Sequence, residues 1–419
     1  MAGQGPITPP QKVNPPEPTP ALSPSRSKLH VPILDDCRGL AIILVFLRHC
    51  EVFLPPQLDH AFDYPGEFAS QVFAGKVDLQ TIIAFIVLFP GHLGWVALPI
   101  FFVVSGFCIH LTYCGTSQPS LKGFYIRRFF RIYPAYLLAL LVFATVFPES
   151  RLAFTKLTHW AQLAAHIFQF HNLFETSLYA VNASYWTIAI EVQLYLLFPI
   201  LLIFARRFSY DWLLFGLLLV EMSLHSFSAL FCYAPGHFPP AWLRASPFFF
   251  CFSWAIGAGM ADAFLSGKTL GFAKIHPLVW LIPGILTSPF PSHEFSFTFF
   301  ALATASIVSR CLAQDPVLER RSLLGRFIRR TGVYSYSIYL IHGPIIIVLM
   351  ELIEAWFPWI KEQPFVVFPV TLSTWIVIYP LSALMYRWVE VPGIALGKRL
   401  LKAGSKRTSD QLASAVSAT

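Results

Sequence analysis

The chain has 419 residues, of which 56% are apolar and 16% aromatic but only 12% charged, and its formal net charge is +8. Soluble domains carry roughly 25% charged residues, so about half the usual complement is missing. With a mean hydropathy of +0.60, this excludes an ordinary soluble domain, even one with a single anchor, and leaves a polytopic membrane protein.

The first 30 residues are rich in Pro, Ser and Gly and lack the apolar run of a signal peptide. They read as a disordered cytosolic tail. Apolar spans then fit over residues 33–53, 90–112, 132–148, 186–205, 211–233, 245–264, 276–291, 295–312, 332–353 and 365–387. The expected fold is all-α, a polytopic bundle of about ten spans, with one transmembrane domain over 31–395 and a basic cytosolic tail over 396–419. Ten spans return both termini to one side. On that threading 24 of the 30 Lys and Arg lie on the terminal side, leaving Arg48, Lys76, Arg151, Lys156, Arg244 and Lys361 opposite. Both termini are therefore expected in the cytosol, and the net charge is a topology signal rather than a nucleic-acid footprint. The seven cysteines contain no C-x-x-C pair; they read as small apolar residues, and no metal site is expected.

Span 1 holds the first violation of membrane rules. "RGLAIILVFLRHC" places Arg38, Arg48 and His49 in an apolar run, although a charge at bilayer depth costs at least about 2.5–3.5 kcal/mol. Arg38 and His49 are eleven residues apart, so they share a helix face and stand about 16 Å apart along the axis. Asp35 sits three positions before Arg38 and can neutralise it. Taken alone, the segment also fits a flank anchor and a structural histidine. Arg48 points about 100° away from His49, and its role is not explained by the sequence.

"FYIRRFFRIYPAY" carries Arg128 and Arg131 one turn apart at the start of span 3. The pair fits either a charged flank or a bidentate polyphosphate grip. Span 4, "SYWTIAIEVQLYLLFP", contains Glu191, and span 9, "YSYSIYLIHGPIII", contains His342. His49, Glu191 and His342 all fall in the middle to outer part of the bilayer, where ionisable groups face the bundle interior and mark a functional site. Ser105, followed by Gly106 within "VVSGF", lacks the G-x-S-x-G elbow. A Ser-Gly step at this depth reads as a close helix contact rather than a nucleophile.

Together these segments, with "LPIFFVVSGFCI", resemble the acyltransferase 3 family of integral membrane acyl-transferring enzymes. The likeness runs in order from about residue 33 to 395. It includes the Leu-Asp-x-x-Arg-Gly start with Arg38 and His49, the Arg-x-x-Arg-Ile-x-Pro-x-Tyr pattern around Arg128 and Arg131, and Trp186, Thr187, Glu191 and Tyr195. Asp36-Cys37 and the long 51–78 loop depart from the pattern. The resemblance implies a ten-span enzyme that acylates an acceptor hydroxyl from acyl-CoA, expected to be acetyl-CoA, as co-substrate with no resident cofactor. It also implies that Arg38 and His49 act in the site and that Arg128 and Arg131 lie on the CoA side.

On this reading His49 deprotonates the acceptor, or itself carries the acyl group, while Glu191 or His342 orients it and Arg38 contacts phosphate or the oxyanion. The expected acceptor is a small hydroxylated secondary metabolite such as a polyketide or terpenoid, with a membrane or cell-surface glycan as the alternative. A proton-coupled transporter also holds His and Glu at mid-membrane, but no paired broken helices or matching half-repeats are visible.

Overall fold

The computed structural model describes residues 31–403 except 64, 117–118, 148–150, 153, 232–238, 289–293 and 314–321, so the expected tail over 1–30 lies outside the described residues. All regular structure among the described residues is helical. The helices are α1 (Pro32–Cys50), α2 (Pro56–Asp63), α3 (Pro65–Phe73), α4 (Leu79–His92), α5 (Ala97–Cys114), α6 (Leu121–Thr145), α7 (Leu157–Ile167), α8 (Glu175–Leu178) and α9 (Trp186–Phe208). They continue as α10 (Tyr210–Phe231), α11 (Ala241–Arg244), α12 (Cys251–Leu265), α13 (Pro277–Thr287), α14 (Glu294–Ala313), α15 (Leu323–Trp356), α16 (Pro364–Ser373) and α17 (Trp375–Met385).

Eight stretches among the described residues are long and apolar enough to cross a membrane. Two expected spans are not among them: α1 carries Asp35, Asp36, Arg38 and Arg48, and α13 has only 11 residues. With those two, every expected span has a helix at its place. The chain is a multi-pass membrane protein.

Helix starts differ most from the sequence reading. α6 begins eleven residues before the expected span and α15 nine before it. Each opens on a serine cap, Ser120 Oγ accepting from Gly123 N and Ser322 Oγ from Gly325 N, which satisfies an orphan N–H and lets the helix begin in polar sequence. Arg128 and Arg131 are thereby fixed on a helix face and not on a loose flank. The expected second span is shifted as well: a short 3-10 turn at Leu93–Val96 separates α4 from α5. The 51–78 loop folds into α2 and α3, and the terminal helix runs on to Ala403.

Two helix crossings hold the bundle centre, and both depend on glycine. A methyl group at Gly332 of α15 would stand 1.9 Å from Asp35 O of α1, and one at Gly39 of α1 would stand 1.9 Å from Ile328 O of α15. Gly106 of α5 and Gly257 of α12 face Trp254 O and Val103 O in the same reciprocal way, at 2.0 and 1.9 Å. In a membrane, where lipid is as apolar as the core, such backbone contact is a main source of helix association. The first crossing is also pinned by Asp36, whose carboxylate receives Arg329 Nε and Nη2 at 3.2 and 3.3 Å. Gly257→Ala is expected to push α5 and α12 apart, costing roughly 1–3 kcal/mol. The measurement is the melting temperature of the detergent-purified protein; an unchanged value would contradict the close packing.

Candidate active site

Among the described residues, one cavity lies near the start of α1 and another near its end. The first, here the proximal cavity, has a volume of about 110 Å³ and is lined by Arg38, Ser105, Cys108, Arg128, Arg131, Glu191, Tyr195 and Tyr339 among others. The second, the distal cavity, has a volume of about 370 Å³ and includes His49, Asn182, Ser184 and Gly343 in its wall.

Four of the six residues singled out from the sequence thus meet in the proximal cavity. Arg38 gives one guanidinium nitrogen to Asp35 Oδ1 at 3.0 Å and the other to Cys108 Sγ at 3.1 Å. The Asp35 contact is the i,i+3 pair that the spacing predicts. Arg128 donates to Thr112 Oγ1 and lies 5.9 Å from the centres of both the Phe124 and Tyr195 rings. A guanidinium within cation–π reach of two rings is held in place and keeps its remaining N–H groups for a ligand. Arg131 makes no hydrogen bond among the described residues. Three guanidiniums line one small cavity, with the carboxylates of Asp35, Glu191 and, beside Arg131, Glu390 near them, an arrangement able to receive an anion.

Glu191 is part of the wall that supports this cavity. Its Oε1 accepts from Ser105 Oγ at 2.7 Å and from the Tyr195 hydroxyl. Ser105 Oγ in turn accepts from Trp254 Nε1 at 3.3 Å. The serine that reads from the sequence as a packing residue therefore links α5, α9 and α12 through hydrogen bonds.

His49 faces the other way. Its Nδ1 lies 2.8 Å from Val45 O, and Nε2 lies 3.4 Å from Ser184 Oγ. A carbonyl can only accept, so the hydrogen-bond pattern puts the proton on Nδ1 and leaves Nε2 as a lone pair toward the distal cavity. The His342 ring packs edge-on against His49 with centroids 4.8 Å apart. His342 Nδ1 is within 2.9 Å of Tyr339 O, and its buried Nε2 has no hydrogen-bond partner among the described residues. A second proton acceptor thus stands beside His49, whereas the Glu191 carboxylate bonds into the proximal wall.

Between the cavities runs a thin partition that the sequence does not reveal. The Tyr339 hydroxyl donates to Ser184 O at 2.8 Å and is hydrogen-bonded to Thr187 Oγ1. Asn182 holds the same loop, donating to Leu340 O at 3.0 Å while its Oδ1 accepts from Ser184 N at 2.9 Å. With both side-chain ends engaged and only 3% of its surface exposed, Asn182 is no glycan acceptor despite its sequon. Tyr339 lines the proximal cavity and Ser184 the distal one, so one hydrogen bond joins the two walls.

The acyltransferase domain family Acyl_transf_3 matches residues 31–385. The chain belongs to the acyltransferase 3 family. Nodulation protein 10 of Rhizobium leguminosarum bv. viciae is similar to this acyltransferase, 26% identical over 327 residues, covering 72% of the chain and 83% of that protein. An uncharacterized protein of Haemophilus influenzae is 35% identical over 122 residues, 26% of the chain and 50% of that protein. A Staphylococcus aureus protein named "Putative O-acetyltransferase" is 26% identical over 155 residues, 32% of the chain and 25% of its own length. The acyltransferase thus spans half of the Haemophilus protein and a quarter of the staphylococcal one. No solved structure matches it.

Arg48, unexplained by the sequence, has its own role at the end of α1. Its Nη1 lies 3.5 Å from Glu51 Oε2, and its guanidinium stands 5.6 Å from the centre of the Trp95 ring. His92 Nδ1 lies 3.7 Å from the same carboxylate oxygen. This buried cluster fastens α1 to the α4–α5 junction and touches neither cavity.

Proposed function

We propose that this acyltransferase moves an acetyl group from acetyl-CoA, entering the proximal cavity from the cytosol, to a hydroxyl of a small acceptor in the distal cavity. The observation that carries the reading is the division of labour across the partition: guanidiniums on one side, the basic Nε2 of His49 beside Ser184 Oγ on the other. Arg128 and Arg131 hold the CoA phosphates at the cytosolic mouth, and Arg38 continues the positive surface inward. The pantetheine arm then reaches toward Tyr339 and Thr187, whose hydrogen bond must open for the thioester to meet His49.

A thioester is already activated, so the remaining tasks are proton transfer and positioning. The acceptor hydroxyl gives its proton to His49 Nε2 as its oxygen attacks the thioester carbonyl. The C–S bond then breaks, and the departing CoA thiolate takes the proton back. Val45 O holds the imidazole in the tautomer this requires, His342 packs its ring in place, and Ser184 Oγ marks where the acceptor oxygen lies. The test is acetyl-CoA consumption by the purified protein without any ion gradient, in the presence of a hydroxylated acceptor; strict dependence on a proton gradient would point to transport instead.

Orientation follows from the excess of Lys and Arg on the terminal side. Protease-cleavable tags at either terminus are expected to be cut only when the cytosolic side is exposed, and tags after residue 60 or 360 only from the opposite side. A terminus that maps to the outer side would overturn the assignment of the two cavities to their compartments.

A further inference from the structure

We infer that the distal cavity binds an acceptor with an apolar body, a hydroxyl at one end and an acidic group at the other: a hydroxy acid rather than a sugar. The inference rests on the reading of His49 as the base and names what that base acts upon. The cavity volume of about 370 Å³ falls within the range of small-molecule sites, about 300–1,000 Å³. Its wall is largely apolar, built by Phe53, Phe147, Leu152, Val181, Ile346 and Ile347.

The polar groups in that wall are few, and most are engaged. Asn182 spends its amide on Leu340 O and Ser184 N, and Ala180 O lies 2.9 Å from His166 Nε2. A pyranose would bring several hydroxyls into this wall, and each one left unpaired costs about 1–3 kcal/mol. A hydrocarbon body meets no such cost. Ser184 Oγ and His49 Nε2, 3.4 Å apart in that wall, are placed to receive a single hydroxyl. The charged side chain lining the cavity is Arg151, which, with His159 and Tyr179 on the same wall, provides a counter-charge for a carboxylate.

The backbone gives an independent sign that this wall is shaped for a ligand. Val181 has φ +65°, a left-handed conformation that a β-branched residue rarely takes. It is held there because Asn182, the next residue, is tied across to α15. Strain of this kind gathers at ligand clamps, where the surrounding structure over-determines it.

The experiment uses the full chain in lipid nanodiscs with labelled acetyl-CoA and three acceptors: ω-hydroxydecanoate, decanol and methyl glucoside. The expected result is acetylation of ω-hydroxydecanoate with a KM at least about tenfold below that of decanol, as a charge-assisted contact provides, and no product from methyl glucoside. Arg151→Ala is expected to bring the ratio of the two KM values close to one, and Ile347→Trp to lower kcat/KM for both alcohols by filling the cavity. Acetyl-CoA binding is measured in parallel. Acetylation of the glucoside on a par with the hydroxy acid, equal KM values for hydroxy acid and decanol, or no acetylated alcohol despite normal acetyl-CoA binding each overturns the inference. Loss of acetyl-CoA binding in the unaltered protein overturns the donor reading itself, and the inference with it.

Discussion

His49→Ala is expected to lower acetyl transfer by about 10²–10⁴-fold, the usual contribution of a positioned base, while acetyl-CoA binding stays near its normal level. The separation follows from the geometry. His49 opens on the distal cavity, and the arginines proposed to hold CoA line the proximal one. Truncation removes the bond to Val45 O, a carbonyl inside α1 that keeps its place in the helical ladder, together with the 3.4 Å contact to Ser184 Oγ and the ring contact with His342, none of which is a helix crossing, so the fold is expected to persist. His49→Asn serves as the companion variant, because it keeps a polar side chain but has no basic lone pair. The measurement is single-turnover transfer at saturating donor. Retention of more than about a tenth of normal turnover by either variant would exclude the base role and direct attention to the unpartnered Nε2 of His342.

Charges in apolar sequence are conspicuous, and for that reason Arg38, Arg128, Arg131 and Glu191 stand out from the residue order alone. Their convergence on one cavity is not legible there, because it depends on where α6 begins and on which way the side chains of α1, α6 and α9 face. The apolar run of the third span begins at residue 132, and hydropathy places the helix start with it. The Ser120 cap starts the helix eleven residues earlier and carries both arginines into its wound face. The partition is hidden for a different reason. Ser184, Thr187 and Tyr339 are neutral residues of types common in membrane helices, and the Ser184–Tyr339 bond joins positions 155 apart in sequence. No local pattern announces such a pair. Arg48, by contrast, carries a usable signal: Glu51 follows it by three positions, the same spacing that links Asp35 to Arg38.

Glu191 shows how depth alone misleads. Its level in the bilayer matches that of His49 and His342, which favours a shared relay, yet a helix has a facing as well as a height. On α9 the carboxylate turns toward Ser105 of α5 and Tyr195 of its own next turn. The glycine crossings follow the same logic in reverse. Gly106 is legible as a packing residue because a Ser-Gly step inside an apolar run has few other uses, but its partner Gly257 emerges only when α12 is laid against α5.

The donor site is tested by substitution that preserves charge. Arg128→Lys combined with Arg131→Lys keeps every positive charge on the terminal side, so membrane orientation is expected to stay as it is. An ammonium cannot reproduce the flat fork that presents paired N–H groups to phosphate. The double variant is therefore expected to raise the KM for acetyl-CoA, or lower turnover at subsaturating donor, by about tenfold or more, corresponding to about 1.4 kcal/mol. The single variants differ in what holds each arginine. Arg128 is fastened by Thr112 and two rings, so Arg128→Lys loses pre-organisation as well as contacts and is expected to show the larger share. Arg131→Lys loses only the fork. Initial rates across a range of acetyl-CoA concentrations, with orientation checked by terminal tags, decide the matter. If the double variant keeps normal kinetics at low donor, these arginines serve orientation alone, and Arg38 with the Arg326–Arg330 stretch at the start of α15 becomes the place to look for the CoA phosphates.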